Sequence, residues 1–180
     1  MLDGRMGAMF FRRPRLDPDV HANLIEAHLD AFGRQPARIL AAAEAVGGWC
    51  VLLADVLALQ DQGEWRFTPW HRIEQGGWND QNSELRWELV DGRRGNALFD
   101  EPGRIPEVFR ERVQASIVVQ KQIPIEGTRE GGIVSARRNL ADRDAPLEWR
   151  IRRGRGTAET PENMFVLEAA LADLKTDWDI

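Results

Sequence analysis

At 180 residues and 20.5 kDa the chain has the size of one ordinary domain, able to bury about 70% of its extended surface on folding. Hydrophobic residues at 43% and charged residues at 29% exclude a largely disordered chain, and a net charge of -5 excludes a surface that attracts nucleic acid or anionic membrane as a whole. Any basic site is local.

The first residues, "MLDGRMGA", hold Met1, Met6 and Met9 in no periodic pattern. Residues 1–15 are expected to be a disordered segment, with Met9 as an alternative start, and 16–180 a single domain. "GAMFF" is too short for a signal-peptide core, and no run of about 18 apolar residues is present, so a cytoplasmic location is expected. Cys50 stands alone in the apolar run "GWCVLLADVLAL", which rules out an internal disulfide and fits a small buried hydrophobe.

Asp17 and Pro18 open, and Gly33 closes, a first helix whose Val20, Leu24, Ala27 and Ala31 repeat along one stripe. From Pro36 to Asp100 short alternating runs broken by Gly-Gly, Asp-Gln-Gly and Asn-Asp-Gln-Asn predict a β-meander. "RILAAAEAV" is taken as a strand despite its alanines, and "GWCVLLADVLALQ" as two buried strands bent at Ala54-Asp55. In "EWRFTPWHRIEQGGW" strand parity puts Trp65, Phe67, His71 and Ile73 on one face, and Trp70 among Arg66, Thr68, Arg72 and Glu74 on the other. "SELRWELV" repeats the split with Leu85, Trp87 and Leu89. Burying one such aromatic gains roughly 4–6 kcal/mol gross, so Trp65, Phe67, Trp87 and Leu89 are expected as interior wall, paired across adjacent strands. Trp70 is then the one aromatic expected to be exposed.

After Pro102-Gly103 a second helix is expected over "RIPEVFRERVQASIV". Further strands follow in "QKQIPIEG", "GGIVSARRN" and "PLEWRIRRG". Thr160 and Pro161 begin a last helix with a docking stripe of Met164, Leu167, Leu171, Leu174 and Trp178.

The stretch from "GWCVLLADVLALQ" through "EWRFTPWHRIEQGGW" and "SELRWELVDG" to "RIPEVFRERV", a strand-rich segment closed by one amphipathic helix, resembles bacterial pleckstrin-homology-like (PH-like) domains. It is also similar to uncharacterised single-domain proteins of high-GC actinobacteria, which the arginine- and alanine-rich composition with only two lysines suits. The resemblance covers residues 36–119 and implies an α+β fold: an antiparallel PH-like β-barrel or strongly bent sheet with flanking helices, used for binding and not for catalysis. Residues 120–180 would add strands and the C-terminal helix. The lipid-binding members gather cations in the first hairpin loop, whereas "EAVGGW" has none here, which argues against phosphoinositide binding.

Candidate chemistry is thin. Ser83, Ser116 and Ser135 stand in no G-x-S-x-G motif, and His21 and His28, seven residues apart, fit a solvated helix face better than a metal site. No catalytic residue, metal ligand or cofactor motif is assigned. The charge pattern says more: seven arginines against three acids between Arg137 and Arg155, then six acids against Lys175 from Glu159 onward. Either the acidic last helix pairs with the arginine strands, or Arg137, Arg138, Arg150, Arg152 and Arg153 form a face for an anion or acidic partner. The expected role is a non-catalytic cytoplasmic binding or scaffolding module that meets a protein partner or a second copy of itself. Nucleic-acid association through the arginine strands is the alternative, and a small hydrolase-type enzyme the third reading.

Overall fold

The computed structural model describes residues 16–178; the N-terminal segment 1–15 and the alternative start at Met9 lie outside the described residues. The fold is α+β, with three antiparallel sheets and three α-helices.

Helix α1 (Pro18–Phe32) begins where the Asp17 carboxylate accepts from the Asp19 N–H at 2.9 Å, and ends at Gly33 in the left-handed region. Strands β1 (Ile39–Ala45), β2 (Gly48–Leu53), β3 (Val56–Asp61) and β4 (Glu64–Pro69) form a four-stranded meander, bent at Ala54-Asp55 as expected. Gln62 and Gly63, at φ of 50° and 87°, make the tight β3–β4 turn that hairpin twist requires. A single 3-10 turn (Trp70–Arg72) then carries the chain into a second sheet of β5 (Ile73–Asn79), β6 (Glu84–Leu89) and β7 (Arg94–Leu98). Helix α2 (Ile105–Ser116) packs against β1, β2, β5 and the 3-10 turn, and stops two residues before the expected end because β8 (Ile117–Ile123) starts at once. The third sheet runs in the order β10-β9-β8, with β9 at Gly132–Arg137 and β10 at Glu148–Arg153, and α3 (Pro161–Trp178) packs against β9 and β10.

The first two sheets do not close into a barrel; one backbone bond, from the Val46 N–H to the Leu98 carbonyl at 2.9 Å, joins the end of β1 to the end of β7. Between them lies the main core, built from Leu52, Leu57, Trp70, Ile73, Leu85, Trp87, Phe99 and, from α2, Ile105, Val108 and Phe109. Cys50 is buried here, and burial pushes its thiol pKa up to about 12, so it behaves as a hydrophobe. Trp87 is registered opposite Gly76 on β5 and Gly95 on β7. A Cβ on Gly95 would overlap the Trp87 ring and one on Gly76 the Phe109 ring, so both glycines make room for aromatics.

Several expectations need correction. "EWRFTPWHRIEQGGW" is two strands in two sheets, so the β4 and β6 aromatics are not cross-strand neighbours. Trp65 and Phe67 are half-buried on the outer face of the first sheet, under α1, in a cluster with Leu24, Val51 and Val56 separate from that of Trp87. His28 belongs to that cluster too: it is fully buried, its Nδ1–H donating to the Arg34 carbonyl at 3.0 Å and its ring against Phe32 and Phe67. Trp70, expected to be exposed, has no exposure at all. The reason is local: Pro69 ends the strand and the 3-10 turn resets the alternation, so the indole swings between the sheets. Its Nε1–H donates to the Leu53 carbonyl at 3.0 Å and its ring meets Phe109 edge to face at 5.9 Å.

Trp70→Ala removes this contact and the hydrogen bond together. Urea denaturation is expected to show a loss of about 3–5 kcal/mol; a loss under about 1 kcal/mol, as for a surface residue, would contradict the placement.

Candidate functional site

Two neighbouring features, separated only by strand β5, carry the polar chemistry of the molecule. The first is a seam where the third sheet meets β5 and the 3-10 turn. The other is a depression on the outer face of the β5–β7 sheet.

The seam is where the arginine-rich strands went. Arg137, on β9, is buried; its Nη2–H donates to the Glu74 carbonyl at 2.9 Å and its Nη1–H to Ser116 Oγ at 3.1 Å. Arg150, on β10, pairs with Glu148 at 2.5 Å and lies 3.6 Å from the Glu74 carboxylate. Arg152 reaches Glu74 at 3.4 Å and Gln75 Oε1 at 3.5 Å. Arg153 pairs with Glu159 at 2.9 Å, outside the seam, and Arg138 is exposed with no side-chain ion pair among the described residues. The five arginines are therefore not one open face: Arg137 is buried, the Arg150 side chain is only 10% exposed, Arg152 and Arg153 are paired nearer the surface, and Arg138 has no ion pair among the described residues. Their main acidic partners are Glu74 and Glu148, far apart in sequence, and not the acidic α3.

His71 joins the seam from the 3-10 turn, with Nε2 3.1 Å from Glu148 Oε1, and Arg72 lies 3.8 Å from the same carboxylate. Burial lowers the His71 pKa below its ordinary 6.5; Glu148 opposes the shift, and Arg150, Arg72 and Arg137 reinforce it. Near neutrality the ring is thus an uncharged donor to Glu148, with Nδ1 buried and unpartnered. Burial likewise lowers the Arg137 pKa from its ordinary value.

The depression, of about 620 Å³, is lined by the polar residues Gln75, Glu84, Arg86, Glu88, Arg94 and Asn96 and by Gly77, with Gly76, Trp87 and Gly95 completing its wall. Register places the polar residues and Gly77 on the face of the sheet opposite Leu85: Gly77 faces Arg86, Arg86 faces Asn96, and Glu88 lies between Gln75 and Arg94. Glu84 is buried, accepting from Arg86 Nε at 2.6 Å and Asn96 Nδ2 at 2.9 Å, and these bonds hold its carboxyl below the usual carboxylate range. Gln75 Nε2 donates to Glu88 at 3.3 Å, and Arg94 is 3.6 Å from Glu88. A Cβ at Gly77 would meet nothing within 4 Å, so this glycine leaves the floor open. Sequence reading assigned no site to Gly76 and Gly77, which it left at the end of the run before the Asn-Asp-Gln-Asn turn. The available signal was a Gly-Gly pair followed by a tryptophan inside an otherwise extended run.

Ser116 donates its hydroxyl proton to the Val113 carbonyl at 2.7 Å, Ser135 is buried, and Ser83 sits in a turn. Among the described residues no group of three or more His, Cys, Asp or Glu is placed to hold a metal ion, and no helix is long and apolar enough to cross a membrane.

The His71 shift fixes the sign of an acid effect. Its folded-state pKa lies below the unfolded 6.5, so the associated stability is fully present above 6.5 and drains as pH falls through 6.5 toward the folded-state value. Unfolding free energy measured across this window in a buffer free of sulfate and phosphate should fall with acid, and the fall should flatten in His71→Asn; an unchanged slope in the variant would refute the assignment.

No protein-family model, no curated protein and no solved structure matches the chain. The PH-like resemblance accordingly rests on the pattern of residues 36–119, and the actinobacterial one on composition.

Proposed function

We propose that the protein is a non-catalytic, cytoplasmic binding module on a PH-like core, and that it holds an extended polar segment of a partner protein in the depression over β5, β6 and β7. The PH-like reading draws support from a four-stranded and a three-stranded meander followed by one helix that packs on both. The observation that carries the binding role is the depression itself, with a floor kept open at Gly77 and walls already tied by the Glu84–Arg86–Asn96 and Gln75–Glu88–Arg94 contacts. Such surface ion pairs add only about 0–1 kcal/mol each to stability, so their value is in presenting donors and acceptors in fixed positions. Glycine at the floor lets a main chain approach, and the mixed charges around it suit peptide groups better than an apolar small molecule.

The alternative readings draw less. A nucleic-acid interface needs free guanidiniums along a face, and Arg137 is buried while Arg150, Arg152 and Arg153 are paired. A hydrolase needs a nucleophile beside a base, and His71 is turned to Glu148. Of the stripe Met164, Leu167, Leu171, Leu174 and Trp178, the first four pack on the chain's own third sheet and only Trp178 is exposed, which leaves little of it to dock a partner.

Gly77→Trp tests the site. Its backbone is not in the left-handed region and its surroundings are open, so stability should change by no more than about 0.5 kcal/mol. A partner retained by the immobilised wild-type protein should be lost by Gly77→Trp and kept by Arg138→Gln. Equal retention by all three, or no partner retained by the wild type at any salt concentration, would end the proposal.

A further inference from the structure

The seam's own residues do not close its charge balance. Four guanidiniums, those of Arg72, Arg137, Arg150 and Arg152, surround two carboxylates, those of Glu74 and Glu148. Both hydrogen bonds of Arg137 go to neutral oxygens. Among the described residues Arg137 Nε, Arg150 Nη1 and His71 Nδ1 are buried without hydrogen-bond partners, Arg150 Nη1 lying 3.6 Å from the Glu74 carboxylate, and the side chains of Arg150 and His71 are only 10% and 8% exposed. Unmade bonds on buried cations are costly, and several in one cluster ask for an occupant.

We propose that the seam binds one small tetrahedral oxyanion, of the sulfate or phosphate class, with Arg137, Arg150 and His71 as its inner ligands and Arg72 and Arg152 at its solvent rim. The rim is open enough for entry, with the Arg72, Glu148 and Arg152 side chains 42%, 38% and 36% exposed. The anion supplies the missing negative charge and acceptors for the unpartnered N–H groups, and guanidiniums suit its geometry. The inner ligands lie too deep for the flat surface of a membrane or a duplex. The occupant is therefore a free ion or the phosphate end of a small ester.

His71 makes the site pH-dependent. The groups bearing on its ring are Glu148 and Arg150 from β10, Arg137 from β9, Arg72 from its own turn and, behind Arg150, Glu74 from β5. Helix α2 also packs on the turn and carries Arg112, which pairs with Glu111 at 2.8 Å. Protonation gives Nδ1 a proton to donate, and by linkage anion binding and protonation favour one another. This site is distinct from the one over Gly77, with which it shares the Arg152–Gln75 contact across β5.

Sulfate is the probe, because its charge is constant across the range used. Calorimetric titration at constant ionic strength should show saturable binding that is several-fold tighter at about pH 5.5 than at about pH 7.5. That pH dependence should disappear in His71→Asn. Affinity should drop at least about tenfold in Arg150→Gln and Arg72→Gln and stay unchanged in Arg138→Gln. If Arg150→Gln does not fold, the rim variant Arg72→Gln decides. Phenyl phosphate separates the sources: binding comparable to sulfate assigns an ester, and failure to bind while sulfate does assigns the free ion. Absence of saturable sulfate binding, affinity independent of pH, or equal affinity in Arg72→Gln would overturn the proposal.

Discussion

Three residues, Trp70, His71 and Arg72, hold the structure together in two directions. Pro69 ends β4 and has no N–H to continue a ladder, and the single 3-10 turn that follows redirects the side chains. The Trp70 indole goes inward, bonded to Leu53 and edge-on to Phe109, where it links the first sheet to α2. The next two side chains point to Glu148 on the third sheet. One short turn thus joins the main apolar core to the polar seam that docks the C-terminal part of the chain.

The two docking modes differ in kind. Helix α3 lies on its sheet through Leu167 and Leu174, with Met164 and Leu171 beside them, an apolar contact that is stabilising and undemanding of register. The seam is ionic, and buried ion pairs gain little net stability once desolvation is counted. What they do supply is position: Arg137 bonds a backbone carbonyl on the otherwise unpaired side of β5, and Arg150 and Arg152 fix Glu74 beside it. Glu74 on the seam side and Gln75 on the depression side are consecutive residues of β5, so the seam also steadies one wall of the proposed binding site.

Much of the fold is legible in local chemistry. Asp17, Pro18 and Gly33 mark α1, Thr160 and Pro161 mark the start of α3, and the strand breaks fall at residues suited to turns. The errors share one cause, which is that parity and charge counts are local while their outcome is tertiary. Strand alternation carried through Pro69 put Trp70 outside, and a single residue in a 3-10 turn reverses that. Reading Trp65 and Phe67 as barrel interior ignored that a sheet has two faces, and α1 covers the second. Pairing with the acidic helix, one of the two expectations for the arginines, follows proximity in sequence, whereas Glu74 lies more than seventy residues upstream of Arg150 and only the tertiary fold brings it near. The depression was illegible because Gly76 and Gly77 look like a turn until β6 and β7 are seen on their far side.

The placement of Trp70 is the claim on which both the core and the seam depend, and hydrogen exchange of the seven indole N–H groups tests it directly. The Trp70 indole, buried and bonded to Leu53, should exchange only through global unfolding, while that of Trp178, 42% exposed, should exchange at once. Rapid exchange of the Trp70 indole under native conditions would contradict the account.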